Sequence, residues 1–424
     1  MLMFAKYWLR MARCAVVGGR AYYVWMGTLL LFIGMAALEF THTLHTGLVE
    51  TNMSDDVSWG IGIANFVYFV GVAAGAAVLV VPAYLYHRED IKELVLLGEL
   101  LAVVAVSMCL LFIMTDVGRP DRLWHLTPGV GHLNLPSSLL SWDVVVFTGY
   151  LLMNMHIPGY LLFSRYRGKK PTALMYLPFV FLSMIWAVSI HTVTAFLLSG
   201  LGSRPFWNTP ILAPRFLISA GASAPALLIM LFTVVKHFTK LNVKQSVFDY
   251  FLYVLRIAMP INLFLVGCEI FQEFYTGSLH SASAYYLYFG LHGHAMLPRF
   301  IWTALAFNVS ATVIFLVPKL RQNPKLMYLA CGLTIVGIWT EKGMGLIFPG
   351  FVPNPLGEIH EYAPNAGEII LNLGIVALGA FLYTAMAKVT IAIQSGELRL
   401  AGSKPDEPAP AAPPPDEPLA SEAE

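Results

Sequence analysis

Histidine is the residue type in this sequence that is best suited to redox and proton chemistry, and the chain has 12 of them. A di-haem cytochrome b would need pairs of histidines on facing helices at matched depth. His156 is about fifteen residues, or roughly 22 Å of helix, from the outer edge of its apolar segment, whereas His191 is about eight residues from the edge of its own. No set of four depth-matched histidines results, so we predict that this chain binds no haem.

The cysteines argue against other metal sites. Cys14, Cys109, Cys268 and Cys331 are more than sixty residues apart, and none forms a CxxC pair. Iron–sulfur clusters and structural zinc need grouped ligands. We therefore predict neither an iron–sulfur cluster nor another metal site in this chain.

Two loops of similar composition place charged and aromatic residues at one predicted membrane boundary. Residues 115–125 and residues 202–210 each contain Arg-Pro, followed by Trp. Helix capping with interfacial aromatics would also explain such loops. Charges close to hydrocarbon are costly unless they are paired or hydrated, which favours a functional site. The residues concerned, in these loops and in the segments 138–143 and 213–216 that follow them, are Asp116, Arg119, Asp121, Arg122, Trp142, Asp143, Arg204, Trp207 and Arg215.

The second apolar segment carries a face of small residues. Gly71 and Gly75 are four residues apart, a spacing that allows a neighbouring backbone or a flat ring to approach closely. A lone helical His is often a packing residue, but polar groups inside a membrane are costly and often functional. The polar candidates at comparable depth are Asn65, Tyr68 and His191.

Four further ionisable residues lie within apolar segments. They are Glu99, Arg256, Glu269 and Glu273. A proton path and an Arg–Glu pair that holds helices together explain them equally well.

The composition indicates the kind of element that must position these residues. The 424 residues are 57% hydrophobic and only 12% charged, with a mean hydropathy of +0.67. A soluble domain is about one quarter charged, so we predict a polytopic membrane protein. The formal net charge of +1 excludes a basic nucleic-acid-binding protein.

A window of about twenty residues finds ten apolar segments. The first follows a basic flank but is too long for a signal peptide, so we predict an uncleaved helix. Of the 26 Lys and Arg residues, 19 lie on one side, which predicts that both termini are cytoplasmic. Residues 401–424, rich in Pro, Ala and Glu, are predicted to be a disordered tail after the 1–400 membrane domain. The ten segments are 22–45, 59–86, 93–115, 141–164, 172–199, 212–236, 247–275, 297–317, 326–342 and 368–393.

The order of several short motifs resembles the NrfD/PsrC family, the membrane subunits of polysulfide-reductase-type complexes. Within that family the chain is most similar to the ten-helix DsrP branch of the DsrMKJOP complex. The resemblance covers nearly the whole chain except the tail. The motifs are NFVYFVG (65–71), GRPDRLW (118–124), SLLSWD (138–143), SIHTV (189–193), RPFW (204–207), PRF (214–216), GFVPNP (350–355) and EYAP (361–364).

The resemblance implies an all-α fold of ten transmembrane helices. Helices 2–5 and 6–9 would form two four-helix bundles, flanked by helices 1 and 10. It also implies a menaquinone-type quinone near the outer face, bound by Asn65 and His191, beside a periplasmic four-cluster iron–sulfur protein. A multihaem cytochrome c, a membrane cytochrome b and a cytoplasmic iron–sulfur subunit would be further partners. Related proteins can have an Asp six residues after the His, where this chain has Leu197.

We therefore predict an inner-membrane subunit, not active alone, that exchanges electrons between the quinone pool and the iron–sulfur partner in dissimilatory sulfur metabolism. His191 would accept a proton, and Asp116 or Asp143 would pass it outward. The outer loops 116–140, 200–211 and 343–367 would dock the partner. A secondary transporter or a purely structural anchor stays an alternative. The other residues expected near the quinone are Tyr68, Arg119, Trp142, Arg204 and Trp207.

Overall fold

The computed structural model describes residues 2–127, 129–239, 241–275, 277 and 281–400, with side chains from residue 6 onward. Within these residues the secondary structure is helical, as the composition predicts. The predicted tail and His280 lie outside the described residues. The helices are α1 (Leu2–Val16), α2 (Arg20–Thr46), α3 (Ile61–Ala74), α4 (Ala77–Tyr84), α5 (Glu89–Asp116), α6 (Leu139–Tyr166), α7 (Leu177–Ser199), α8 (Leu212–Phe238), α9 (Gln245–Tyr275), α10 (Ser281–Tyr288), α11 (Pro298–Leu316), α12 (Pro318–Arg321), α13 (Pro324–Trp339), α14 (Gly345–Ile347) and α15 (Ala366–Gln394).

Nine helical segments of the described chain are long and apolar enough to cross a membrane. One of them is α3 with α4, which form a single span interrupted at Gly75 and Ala76. The predicted ninth span differs from the others because α13 has only 16 residues. It continues without a gap through a π-helix, Thr340–Met344, into α14.

The helices pack as the predicted pair of bundles. In the first bundle α3 and α4 lie with α5, α6 and α7, and in the second α8 lies with α9, α11 and α13. Helices α2 and α15 pack against each other, and α15 also contacts α5. The two bundles meet where α8 contacts α3 and α7, and where the π-helix contacts α3.

The small face of α3 forms this junction between the bundles. A Cβ built on Gly75 would overlap the Cβ of Ala224 on α8, and one built on Gly71 would lie 3.6 Å from the Cα of Ala220. Small residues allow such close approach between membrane helices. The partner of the predicted small face is therefore the backbone of α8.

Replacing Gly75 by Val is expected to destabilise the junction by about 1–3 kcal/mol, because added methyl groups have no room in a packed interior. The measurement is the thermal unfolding midpoint of the purified protein in detergent. Gly34→Val is the matched control, because a Cβ at Gly34 meets nothing within 4 Å. Equal midpoints for the two variants would contradict the close packing of α3 on α8.

Both ends of the described chain lie on the same face of the helical bundle. Arg10 donates to the carbonyl of Arg399 (3.2 Å), and the Leu400 N–H donates to the carbonyl of Tyr166 (2.9 Å). Helix α1 was not predicted, because we read its residues only as a basic flank. It packs Tyr7 and Met11 into a cluster with Tyr166, while Trp8 remains 57% exposed. This pattern is typical of a helix that lies in a membrane interface.

Candidate functional site

His191 lies at the junction of the two bundles and is completely buried. Its Nε2 atom is 2.7 Å from the carbonyl oxygen of Phe216 on α8 and 2.8 Å from Nζ of Lys342 in the π-helix. A Cβ on Gly71 would lie 3.4 Å from Cε1 of the ring, so the backbone of α3 closes this side. The other ring nitrogen, Nδ1, has no hydrogen-bond partner among the described residues.

Glu341 and Lys342 are the central residues that the sequence reasoning missed. We ended the ninth segment at residue 342 and counted Lys342 among the outer charges, but Glu341 is 1% and Lys342 3% exposed. The predicted outer loop 343–367 is likewise wrong in its first part, because residues 343–352 are buried. The apolar residues that follow the charged pair, from Gly343 to Val352, are the signal that could have revealed a continuing buried segment.

A buried charge cluster joins the four helices of the second bundle. Arg215 on α8 is hydrogen bonded to Glu269 on α9 and, at 3.1 Å, to Glu341 of the π-helix. Asn308 on α11 donates to the second oxygen of Glu341 at 2.6 Å, and Asn262 on α9 lies 3.5 Å from the same oxygen. The predicted alternative of an Arg–Glu pair matches this geometry, but with a different arginine.

Two residues of the predicted proton path, Glu273 and Arg256, differ in their position relative to this charge cluster. Glu273 is buried one turn from Glu269, and its Oε2 has no partner among the described residues. Arg256 is exposed on the outside of α9 and is not part of the cluster. Arg215, which we placed at the membrane boundary, is the arginine that lies inside.

Asp143 is hydrogen bonded to a residue of the helix that carries the histidine. The side chain of Thr194 donates to Oδ1 of Asp143 at 3.0 Å. Thr194 is three residues after His191, so the two side chains share one face of α7. Asp143 is 4% exposed near the start of α6, the end of the helix that we predict to face outward. The structure therefore places Asp143 about one turn outward from His191.

Asp116 accepts hydrogen bonds from the backbone at the start of α3. Its Oδ2 atom accepts the backbone N–H groups of Gly60 (2.9 Å) and Ile63 (3.2 Å). The first N–H groups of a helix lack partners within the helix, and a carboxylate satisfies them favourably. This geometry gives Asp116 a structural role.

Arg119 lies at the surface, away from His191. It forms a two-pronged pair with Asp121, at 2.8 and 2.9 Å, and both side chains are more than half exposed. The hydrogen bond from Arg119 holds the pKa of Asp121 below its ordinary value.

Asn65 and Tyr68 on α3 are both buried, but their hydrogen bonding differs. Asn65 donates to Asn372 on α15 (2.8 Å) and accepts from Trp339 on α13 (2.7 Å). The hydroxyl of Tyr68 has no partner among the described residues. Asn65 thus links three helices, whereas Tyr68 has a hydroxyl group available for a ligand.

The aromatic residues of the two Arg-Pro loops have structural contacts. Trp207 stacks on Trp59 at 5.2 Å and donates to the carbonyl of Leu346 at 2.7 Å. Arg204 lies 4.7 Å above the ring of Phe351. These contacts hold the 200–211 loop against α14 and the residues that follow it. Trp142 is 41% exposed and donates to the carbonyl of Pro136 at 3.0 Å.

Glu99 is buried in the first bundle, away from the charge cluster. It is 1% exposed, and neither carboxylate oxygen has a partner among the described residues. It belongs to the half of α5 nearer the two chain ends.

A cavity of about 210 Å³ lies between α2, α5 and α15. Its lining is apolar apart from Thr115, and it includes Phe40, Met114 and Gly374. Residues of α3 and α7 do not line it, so we do not assign the quinone head group to this cavity. An apolar recess of this kind suits a lipid or isoprenoid chain.

The other histidines and cysteines of the described chain do not form a cluster. Within the described chain, no three His, Cys, Asp or Glu side chains form a group that could hold a metal ion. His156 is bonded to the carbonyl of Met175 at 2.9 Å.

Comparison with known proteins shows the family of this chain. The profile of the family described as "Polysulphide reductase, NrfD" matches residues 49–352. A protein of Halobacterium salinarum, provisionally named as a membrane subunit of dimethyl sulfoxide reductase, is 24% identical, over 85% of this chain and 89% of its own. The Hdr-like menaquinol oxidoreductase integral membrane subunit of Archaeoglobus fulgidus is 22% identical, over 85% and 91%. The menaquinone reductase integral membrane subunit of Nitratidesulfovibrio vulgaris is also 22% identical, over 85% and 89%. With a family match over most of its length and an all-helical membrane fold, the chain belongs to the polysulphide reductase NrfD family.

Proposed function

We propose that this chain is the quinone-interacting membrane subunit of a respiratory oxidoreductase complex. The observation that carries the proposal is that two buried polar groups, on the contacting helices α7 and α3, have no hydrogen-bond partner among the described residues. Nδ1 of His191 and the hydroxyl of Tyr68 both lack a hydrogen-bond partner within the described chain. Buried polar groups are normally satisfied, so such groups indicate a place for a ligand.

The two groups suit the carbonyl or hydroxyl oxygens of a quinone. Tyr68 lies one helical turn before Gly71, whose backbone is against the ring of His191. Two of the relatives carry menaquinol or menaquinone in their names, which supports the same ligand class here. A bound quinone would supply two-electron, two-proton redox chemistry, and His191 would hold or release the proton at Nδ1.

Asp143 is the carboxylate that we propose for proton exit. Asp143 is hydrogen bonded to Thr194, three residues after His191 on α7, whereas Asp116 is occupied by backbone N–H groups. Glu99, Glu269 and Glu273 remain candidates for a longer proton path, supported by their burial within the bundles. The contact that places Asp143 beside Thr194 supports the outward route.

The partner would be a periplasmic iron–sulfur protein, docked on the face away from the chain ends. Arg119, Asp121 and Trp124 are exposed there, as is Leu356 after the buried 343–352 segment. Aromatic residues and arginine are enriched in protein interfaces. A DsrP-type complex in sulfur metabolism remains the finer proposal, supported by the order of the sequence motifs.

A complex purified through this chain is expected to contain menaquinone or a related quinone, detected by extraction and chromatography. Photo-cross-linkers at Trp124 and Leu356 should capture an iron–sulfur subunit, whereas one at Lys325, on the opposite face, should not. A multihaem cytochrome c among the co-purifying proteins would support the DsrP assignment. A quinone-free complex that is unaffected by quinone analogues would contradict the proposal and favour a structural anchor. Transport of a solute without quinone would favour a transporter, for which the interrupted second span is the supporting feature.

A further inference from the structure

Nε2 of His191 has two neighbours with opposite requirements. The carbonyl of Phe216, at 2.7 Å, can only accept a hydrogen bond, so it needs a proton on Nε2. Lys342, at 2.8 Å, has three donors and no acceptor when it is an ammonium, so it then needs the lone pair of Nε2. The ring cannot meet both requirements at once unless Lys342 is a neutral amine.

The surroundings of Lys342 provide no carboxylate partner. Arg215 occupies Glu269 and Glu341, and no ion pair of Lys342 is found within 4.0 Å in the described part of the chain. Its Nζ lies 4.2 Å from the centre of the Phe216 ring. An unpaired charge inside a membrane protein is costly, so the amine and the ammonium are two states that one proton can interconvert.

We propose that His191 and Lys342 act as one proton-transfer pair, in which a proton enters at Nδ1 of the imidazole and leaves from Nε2 to the amine. This inference rests on the proposed quinone site. Nδ1 takes the proton as the O–H bond of a hydroquinone breaks, and Nε2 gives its own proton to Nζ. One electron passes to an iron–sulfur acceptor of the partner with this proton. The second proton and electron follow once Lys342 has returned its proton to Nε2 and Nδ1 has released its own toward Asp143, the exit proposed above.

After the first transfer, the pair is left with hydrogen on Nδ1 and with the Nε2 lone pair facing the ammonium. Lys342 acts through His191, so it is a positioning residue and not one that touches the quinone. The titratable or charged groups that act on Lys342 from the neighbouring elements are Cys109 on α5, Arg215 on α8 and Glu341 in the π-helix. Asp143 on α6 is bonded to Thr194, and Glu269 on α9 is paired with Arg215.

The pair predicts a specific pH dependence of ligand binding. With Lys342 neutral, Nδ1 is an acceptor for a hydroxyl group; with Lys342 protonated, Nδ1 carries hydrogen and cannot accept. Binding of a fluorescent 2-alkyl-4-hydroxyquinoline N-oxide to the whole complex should therefore tighten as the pH rises. In Lys342→Met, Nε2 donates permanently to Phe216, so binding should persist but lose this pH dependence.

Turnover measurements distinguish a proton relay through Lys342 from a purely electrostatic effect of its positive charge. Quinol-dependent electron transfer by Lys342→Met, per assembled complex, should fall about 10²-fold or more. Lys342→Arg keeps the charge but cannot give up its proton, so it should not restore turnover. Lys325→Met, at an exposed lysine outside the site, is the matched control, and Lys342→Gln replaces Met if that variant does not assemble.

Two outcomes would overturn the pair while leaving the quinone site intact. They are normal turnover with unchanged pH dependence in Lys342→Met, and full activity in Lys342→Arg. If the wild-type complex binds no analogue at any pH, the proposed function itself fails.

Discussion

Quinol-dependent electron transfer is expected to fall about 10²–10⁴-fold in His191→Phe, because general acid–base groups commonly contribute that much. Phenylalanine keeps an aromatic ring beside Phe216 and Gly71 but removes both nitrogens. It can therefore neither bind a quinone oxygen nor pass a proton to Lys342. The measurement is the rate per assembled complex, with assembly determined by co-purification of the partner proteins.

His156→Phe is the matched control, since His156 is bonded to the backbone of the chain that precedes α7. It should leave the rate within about threefold of wild type, well below a general acid–base effect. If His191 were only a packing residue, His191→Phe would assemble poorly and its surviving fraction would be fully active. That result would leave Tyr68 and Asp143 as the remaining candidates.

Arg215→Met is expected to destabilise the protein by about 3–5 kcal/mol, the usual cost of removing one member of a buried ion network. Glu269 and Glu341 would be left as two close carboxylates without a cation. The measurement is the thermal unfolding midpoint in detergent, or the yield of assembled protein if the midpoint cannot be reached. Removing the carboxylates as well, in Arg215→Met with Glu269→Gln and Glu341→Gln, should recover part of the loss.

Arg256→Met provides the control within the same apolar region. Arg256 is also an arginine of a membrane span, but it lies on the exposed side of α9. Its replacement should change the midpoint little. A larger loss for Arg256→Met than for Arg215→Met would contradict the assignment of Arg215 as the centre of the second bundle.

More of the fold than of the candidate site could be predicted from the sequence. Hydropathy locates the spans, and the spacing of Gly71 and Gly75 correctly indicates a close neighbour. The sequence cannot show that Asp116 accepts hydrogen bonds from the start of α3, because the N–H groups that donate to it are 53 and 56 residues away. Asn65 is similar, since its partners on α13 and α15 are separated from it by most of the chain.

The charged pair at the centre of the site shows why pattern reading fails there. A hydropathy window ends a span at adjacent charges, because in most membrane helices such charges mark the boundary. Glu341 and Lys342 are tolerated inside because Arg215, Asn308 and His191 surround them, and these contacts exist only in the folded protein. Arg215 was likewise placed at the membrane boundary, since it lies in the first turn of α8.

The π-helix also has a consequence for protein engineering. Wide helical turns of this kind are uncommon and often lie at functional sites. Here one peptide bond joins Glu341, which belongs to the second bundle, to Lys342, which contacts the first. A chimaera that exchanges one bundle with a relative would therefore separate one of these side chains from its partners, wherever the crossover lies. Residues 340–344 have to be transplanted together with both His191 and Arg215, so the two bundles are a single unit of recombination.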